Sequence, residues 1–193
     1  VHDVLRNTLA DAAAFLTAHS IPFAVIGGIA ASIRGEPRLT ADVDAVIEVE
    51  VEGALRLLAA AGPSAPFEPL FPDAAEVVKT ALILPLRHRR TRIRVDLALG
   101  LTGFERRLIQ RASREDLGGF QVPVATAEDL LLMKVLAGRP RDLEDAKNIV
   151  SRRGSGLDWP YVLETGKQLQ EALGLDLLPQ LLALRKQYSS DGD

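Results

Sequence analysis

The stretch Val25-Ile26-Gly27-Gly28, followed by Asp42-Val43-Asp44, decides how this chain is read. Residues 22–26 form a compact apolar run with the length of a buried strand. The two glycines end that run where a backbone must turn tightly or approach something closely. Residues 29–33 have the composition of a short helix, stopped by Gly35 and Pro37. Gly27 and Gly28 then fall at a helix N-terminus, where unpaired N–H groups and the helix dipole attract phosphate. Residues 41–49 alternate as a strand, with Val43, Ala45, Ile47 and Val49 on one face and Asp42, Asp44, Val46 and Glu48 on the other.

Both aspartates therefore point the same way. Two ionised carboxylates about 6 Å apart repel by roughly 3 kcal/mol at an effective dielectric near 20, so the pair asks for a counter-charge. A divalent cation held by carboxylates and substrate phosphates is one answer, and a solvated acidic strand end is the bland alternative. The strand, Gly-Gly turn and short helix ahead of the pair favour the cation.

Further along, residues 77–86 and 91–99 read as two strands around Arg87-His88-Arg89-Arg90, a hairpin with a basic tip. Asp96 sits between Val95 and Leu97 on an otherwise apolar strand and shares a face with Arg94 and Ala98. A buried lone aspartate is costly without a partner, so Asp96 asks either for a metal or for Arg94 or Arg92.

Gly27-Gly28, then Arg38-x-Thr40-x-Asp42-x-Asp44, resembles the nucleotidyltransferase superfamily that includes DNA polymerase beta. Within it, the chain is most similar to the AbiEii and MenT-like toxin nucleotidyltransferases. Lys134, followed by Arg141-Asp142-x-x-Asp145 across a Gly-Arg-Pro turn, is similar to the C-terminal motif of the AbiEii branch. The residues alone also allow Asp142 to cap a helix, Arg141 to pair with Glu144 or Asp145, and Lys134 to point into water.

The resemblance implies an enzyme that moves a nucleoside monophosphate from a triphosphate such as ATP to an acceptor hydroxyl. Mg²⁺, or Mn²⁺ in its place, is the implied cofactor. Asp42, Asp44 and Asp96 are the implied catalytic and metal-binding residues, with Asp96 completing the ion nearer the acceptor. Gly27, Gly28, Ser32, Arg34, Arg38, Thr40 and Lys134 are the implied nucleotide-binding residues. The toxin branch implies RNA, such as a tRNA 3′ end, as acceptor and a cognate antitoxin as partner. A small-molecule acceptor, as in antibiotic-modifying enzymes, and a non-catalytic nucleotide-binding adaptor are the competing functions.

Composition bounds these readings. Of 193 residues, 47% are hydrophobic and 25% charged, the balance of a water-soluble globular protein. Cysteine is absent, which excludes disulfides, thiolate metal sites and cysteine nucleophiles, and His2, His19 and His88 are too scattered for a zinc cluster. No apolar run is long enough to span a bilayer, and a cytoplasmic protein with no membrane partner is expected. The net charge of -3 hides an asymmetry: residues 87–153 hold 15 Lys and Arg against 9 Asp and Glu. The region 87–114 is thus where a polyanion such as RNA is expected to lie.

The expected fold is α/β, more strictly α+β: a nucleotidyltransferase fold whose short mixed sheet is flanked by helices, followed by a helical C-terminal part. Residues 1–125 are expected to form the catalytic domain and residues 126–193 the helical part packed on it. Helices are expected over residues 4–16, 50–61, 101–111, from Thr126, and over 159–173 and 175–188, with a strand at 120–124 and fraying from Ser189. The proline-rich segment 63–73, with Phe67, Leu70 and Phe71, reads as an anchored loop serving as a lid or cover.

Overall fold

The structure, a computed structural model, describes residues 3–189. His2 and the tail beyond Ser189 lie outside them. The chain begins with α1 (Asp3–Ala18), whose Leu5, Leu9, Ala12 and Leu16 recur on one buried side. It continues through β1 (Phe23–Val25), α2 (Gly27–Arg34), β2 (Asp42–Ile47), α3 (Val51–Ala60), β3 (Phe67–Pro69) and α4 (Ala74–Ala81). The hairpin of β4 (Ile83–His88) and β5 (Arg94–Leu99) follows, then α5 (Gly103–Arg111), β6 (Ser113–Asp116) and β7 (Gln121–Val124). The rest is helical: α6 (Ala127–Ala137), α7 (Pro140–Arg153), α8 (Trp159–Leu173) and α9 (Leu178–Ser189).

Among the described residues, seven strands form one mixed sheet in the order β3-β4-β5-β2-β1-β7-β6. β2 runs parallel to β5 and β1 parallel to β7, while the hairpin pairs are antiparallel. The chain divides into two compact units. The first holds the residues up to Ile29 together with Leu39–Ala125, and so the whole sheet; the second holds Ala30–Arg38 and the chain from Thr126.

In the sheet unit, strand alternation sorts side chains by face. Val43, Ala45, Ile47, Val95, Leu97, Leu99, Leu84 and Leu86 are all buried, and α1 and α5 pack against the central strands. Phe67 of β3 is fully buried, with its ring edge-on to Phe15 of α1 and to His88 of β4 at centroid distances of 5.5 and 5.4 Å. His88 is buried too, and its ring hydrogen-bonds Asp11 Oδ2 of α1 at 2.9 Å and Thr91 Oγ1 at 2.7 Å. The basic hairpin tip is thereby stapled to the first helix.

In the helical unit, Thr126 caps α6 by accepting the Asp129 N–H, as its Thr-Ala-Glu-Asp sequence predicts. Gly138, in the left-handed conformation, ends α6 and turns the chain into α7. The α8 and α9 helices meet at Gly166, where an added Cβ would stand 2.5 Å from Leu181 Cδ1. No helix among the described residues is long and apolar enough to cross a membrane.

The structure departs from the sequence reading at several points, and β4 takes in Arg87 and His88, which were expected in the hairpin tip. Residues 77–81 are not strand but the end of α4, because Ala74 and Val78 make one buried stripe a helical turn apart, and Ala, Glu and Lys favour the helix. Segment 63–73 is anchored through the buried Phe67 but is not loop throughout: it carries β3, the edge strand beside β4. The strand β6 was not foreseen, since its Ser-Arg-Glu-Asp sequence has no apolar alternation. If β3 is part of the core, Phe67→Ala lowers the unfolding free energy by about 3–5 kcal/mol in urea titration, whereas a detachable cover would lose little.

Candidate active site

The parallel pairing of β2 with β5 sets Asp42 opposite Arg94 and Asp44 opposite Asp96. Neighbours paired in this way share a face, so Asp42, Asp44, Asp96 and Arg94 stand together on the face opposite Val43 and Val95. Asp42 accepts a hydrogen bond from the Thr40 hydroxyl at 2.8 Å, which fixes the carboxylate at the strand entrance. Asp44 is held from the other side: its backbone carbonyl accepts the Ile26 N–H at 2.9 Å, and its carboxylate lies over Gly27.

Gly27 has φ +63°, and a Cβ there would stand 2.0 Å from Asp44 Oδ2. Two reasons therefore demand glycine: the left-handed backbone and the close approach of a carboxylate to the first turn of α2. The same approach brings negative charge to the positive end of that helix.

Asp96 is engaged by Arg94 two residues earlier on the same strand, whose Nε lies 2.8 Å from Oδ1 and 2.7 Å from Oδ2. That hydrogen bond raises the Arg94 pKa above its ordinary value; partial burial opposes the shift, and the charges of Asp96, Asp42 and Asp44 reinforce it. The guanidinium thus feels all three carboxylates. Of the partners that the sequence allowed Asp96, the arginine at position 94 is the one bound to it. No group of three or more His, Cys, Asp or Glu side chains among the described residues converges closely enough to hold a metal.

The remaining residues implied to bind nucleotide divide between the units. Gly28 belongs to the sheet unit with Gly27 and Thr40, and Ser32, Arg34, Arg38 and Lys134 belong to the helical unit. There, Ser32 Oγ donates to the Arg38 carbonyl at 3.2 Å and accepts the Arg38 N–H at 3.3 Å, closing the turn after α2. Arg38 itself makes a bidentate pair with Asp145 of α7, at 2.7 and 2.9 Å. Arg34 is buried, and its carbonyl accepts a hydrogen bond from Arg153.

Lys134 does not point into water. It is buried, with Nζ 2.8 Å from Asp142 Oδ1 and 2.8 Å from Asp145 Oδ2. Nor does Asp142 cap α7, which starts at Pro140 behind Arg139; Arg139 instead pairs with Asp142. Burial alone would push the carboxyl pKa values of Asp142 and Asp145 up. Hydrogen bonds from Lys134 and Arg139 to Asp142, and from Arg38 and Lys134 to Asp145, hold both below the ordinary value. Lys134, Asp142 and Asp145 of that motif, together with Arg38 and Arg139, thus form an ion network joining α6, α7 and the turn after α2, while Arg141 is exposed. Sequence spacing could not show this, because it depends on how α6 and α7 pack.

Two expectations follow. Gly27→Ala destabilises the fold by more than about 2 kcal/mol in chemical denaturation, from backbone strain and collision with Asp44. Lys134→Met costs about 3 kcal/mol near neutral pH, since it leaves two buried carboxylates short of a counter-charge. Because the folded-state carboxyl pKa values are depressed, the network's contribution is present above the ordinary 3.8 and lost as pH falls through the lower folded values. The stability gap between wild type and Lys134→Met should accordingly narrow below about pH 4, and a constant gap in urea titrations across that range would refute the network's role.

Residues 11–164 match the family described as "Nucleotidyl transferase AbiEii toxin, Type IV TA system". No curated protein matches the chain in sequence. Among solved structures, ANT(2″)-Ia in complex with adenylyl-2″-tobramycin is 14% identical, with 98% of this chain and 100% of that chain covered and a TM-score of 0.53. An antigenic nucleotidyltransferase-like protein from Paracoccidioides brasiliensis is 18% identical, with 96% of this chain and 93% of that chain covered and a TM-score of 0.49. At such identities the first likeness is one of fold alone. The chain belongs to the AbiEii nucleotidyl transferase toxin family.

Proposed function

We propose that the chain transfers a nucleoside monophosphate from a nucleoside triphosphate to a hydroxyl of RNA, and that Asp42, Asp44 and Asp96 hold the Mg²⁺ this requires. The observation that carries the proposal is the pairing of Asp44 with Asp96, next to Asp42, on one face of the sheet. In-line phosphoryl transfer asks a protein mainly for positioning and charge neutralisation. The cation, when bound, would neutralise the transferring phosphate and lower the acceptor hydroxyl's pKa.

The residues supply the rest. Asp42 and Asp44, fixed by Thr40 and by the start of α2, set where phosphate oxygens can stand. The N–H groups of Gly27 and Gly28 face a triphosphate at the helix N-terminus. Asp96, on the neighbouring strand, would accept the proton of the attacking hydroxyl. The nucleotide-binding roles that family resemblance implies for Ser32, Arg34, Arg38 and Lys134 belong to the same proposal. Arg38 and Lys134 would have to leave Asp145 and Asp142 to meet a phosphate.

RNA as acceptor is supported by the charge of the β4–β5 tip. Arg89 is a structural arginine: it binds the Phe67 and Gly62 carbonyls and Glu68. Arg90 and Arg92 are more open, 71% and 57% exposed, and pair with Asp11 at 3.8 Å and Glu68 at 2.7 Å. Exposed pairs of this kind are worth little, so both guanidinium groups can exchange to RNA phosphates. A cognate antitoxin is the partner that the toxin family implies. A small hydroxylated acceptor is the second reading, favoured by the fold likeness to an enzyme seen with an adenylylated aminoglycoside.

Incubation with each labelled triphosphate, with and without Mg²⁺, against total RNA and against aminoglycosides separates these acceptors. Label should enter RNA, require Mg²⁺, and fall at least about a thousandfold in Asp44→Asn. Transfer to the aminoglycoside alone would move the assignment to the second reading. Replacing Arg90 and Arg92 by alanine should weaken RNA binding and flatten its salt dependence by roughly 0.7 to 1 unit of slope per lost phosphate contact. Triphosphate binding should stay near wild type in that variant.

A further inference from the structure

The hairpin arginines are not equivalent. Arg87 turns to the Leu70 carbonyl and to Glu68, Arg89 and Arg92 also turn to Glu68, and Arg90 turns to Asp11. Arg94 is the one of these five that the ion pairs place on one of the three aspartates, through Nε to both oxygens of Asp96. Across the strands it lies opposite Asp42 on one side and Arg87 on the other. Its side chain is 49% exposed against 18% for Asp96, so the guanidinium is the better solvated member of the pair.

We propose that Arg94 is a built-in counter-ion of the carboxylate face, and that it must release Asp96 before a divalent cation can bind there. This rests on the reading that the three aspartates hold the cation. The physical reason is competition for the same atoms. Arg94 Nε lies within 2.8 Å of both Asp96 oxygens, the atoms a cation at this carboxylate would need. A guanidinium relieves the repulsion between Asp44 and Asp96 in the cation-free protein, and a divalent ion relieves it more strongly once bound. The two are alternatives, so each weakens the other's hold by the same factor. Arg94 is therefore a positioning residue, acting through Asp96.

Mn²⁺ titration followed by electron paramagnetic resonance tests the exchange without recourse to activity, in wild type, Arg94→Gln, Arg94→Lys and Asp44→Asn. Arg94→Gln should bind Mn²⁺ about tenfold more tightly than wild type, and Arg94→Lys should fall between them. In chelator, Arg94→Gln should melt below wild type, and saturating Mn²⁺ should close that gap; a merely structural arginine would leave the gap open. Should Arg94→Gln fail to fold, a several-fold gain in Arg94→Lys carries the same test. Wild-type binding that Asp44→Asn abolishes, with no gain in either Arg94 variant, would overturn the exchange while leaving the cation reading intact. Absence of Mn²⁺ binding in both wild type and the Arg94 variants would overturn the two together.

Discussion

The parallel register of β2 on β5 is the constraint from which the sheet unit follows. Because residues alternate between faces, one set of pairings puts Val43 against Val95 and Ala45 against Leu97 in the core. The same pairings put Asp44 against Asp96 on the other face. A slip by one residue would bury the aspartates and expose the valines, so the hydrophobic effect that secures the core also fixes the carboxylates. Electrostatics resists this arrangement and packing imposes it. The geometry of the charged face is thus held by apolar residues that never touch it.

Both units resolve crowded carboxylates with cations of the chain's own, yet in different surroundings. Lys134 is buried between Asp142 and Asp145, where separation would leave uncompensated charge in a poorly solvated site. Arg94 sits at a half-exposed edge, where water can stabilise it after it leaves Asp96. The first arrangement suits a fixed joint between helices. The second suits an exchangeable partner on a face proposed to receive cations and phosphates.

Much of the sheet unit was legible because its signals are local. The apolar run before Gly27-Gly28, the alternation around Asp42 and Asp44, and the basic tip between two apolar runs each lie within one or two elements. β1, α2 and β2 appear where those signals place them, and the β4–β5 hairpin does so in outline, with its first strand starting at Ile83 and running through Arg87 and His88. What stayed hidden depends on neighbours distant in sequence. The β-branched Val77 and Val78 suggest a strand until the buried stripe of α4 is seen. Phe67 looks like a loop anchor until β4 is beside it. Among the candidate site residues, the sequence proposes Arg38 and Lys134 as free charges, and their pairing with Asp145 appears only when α6 and α7 are packed. Arg94 was visible as a partner for Asp96, but its influence across Asp42 and Asp44 needed the strand pairing.

The central claim is that the face carrying Asp42, Asp44 and Asp96 is where a divalent cation meets the triphosphate. Anomalous diffraction from crystals grown with Mn²⁺ and a non-hydrolysable triphosphate tests it directly. The account predicts a Mn²⁺ peak bound by carboxylate oxygens of Asp42 and Asp44, with Asp96 turned from Arg94 towards the same site. A Mn²⁺ ion held by the triphosphate away from β2, with Asp96 still paired to Arg94, would contradict it.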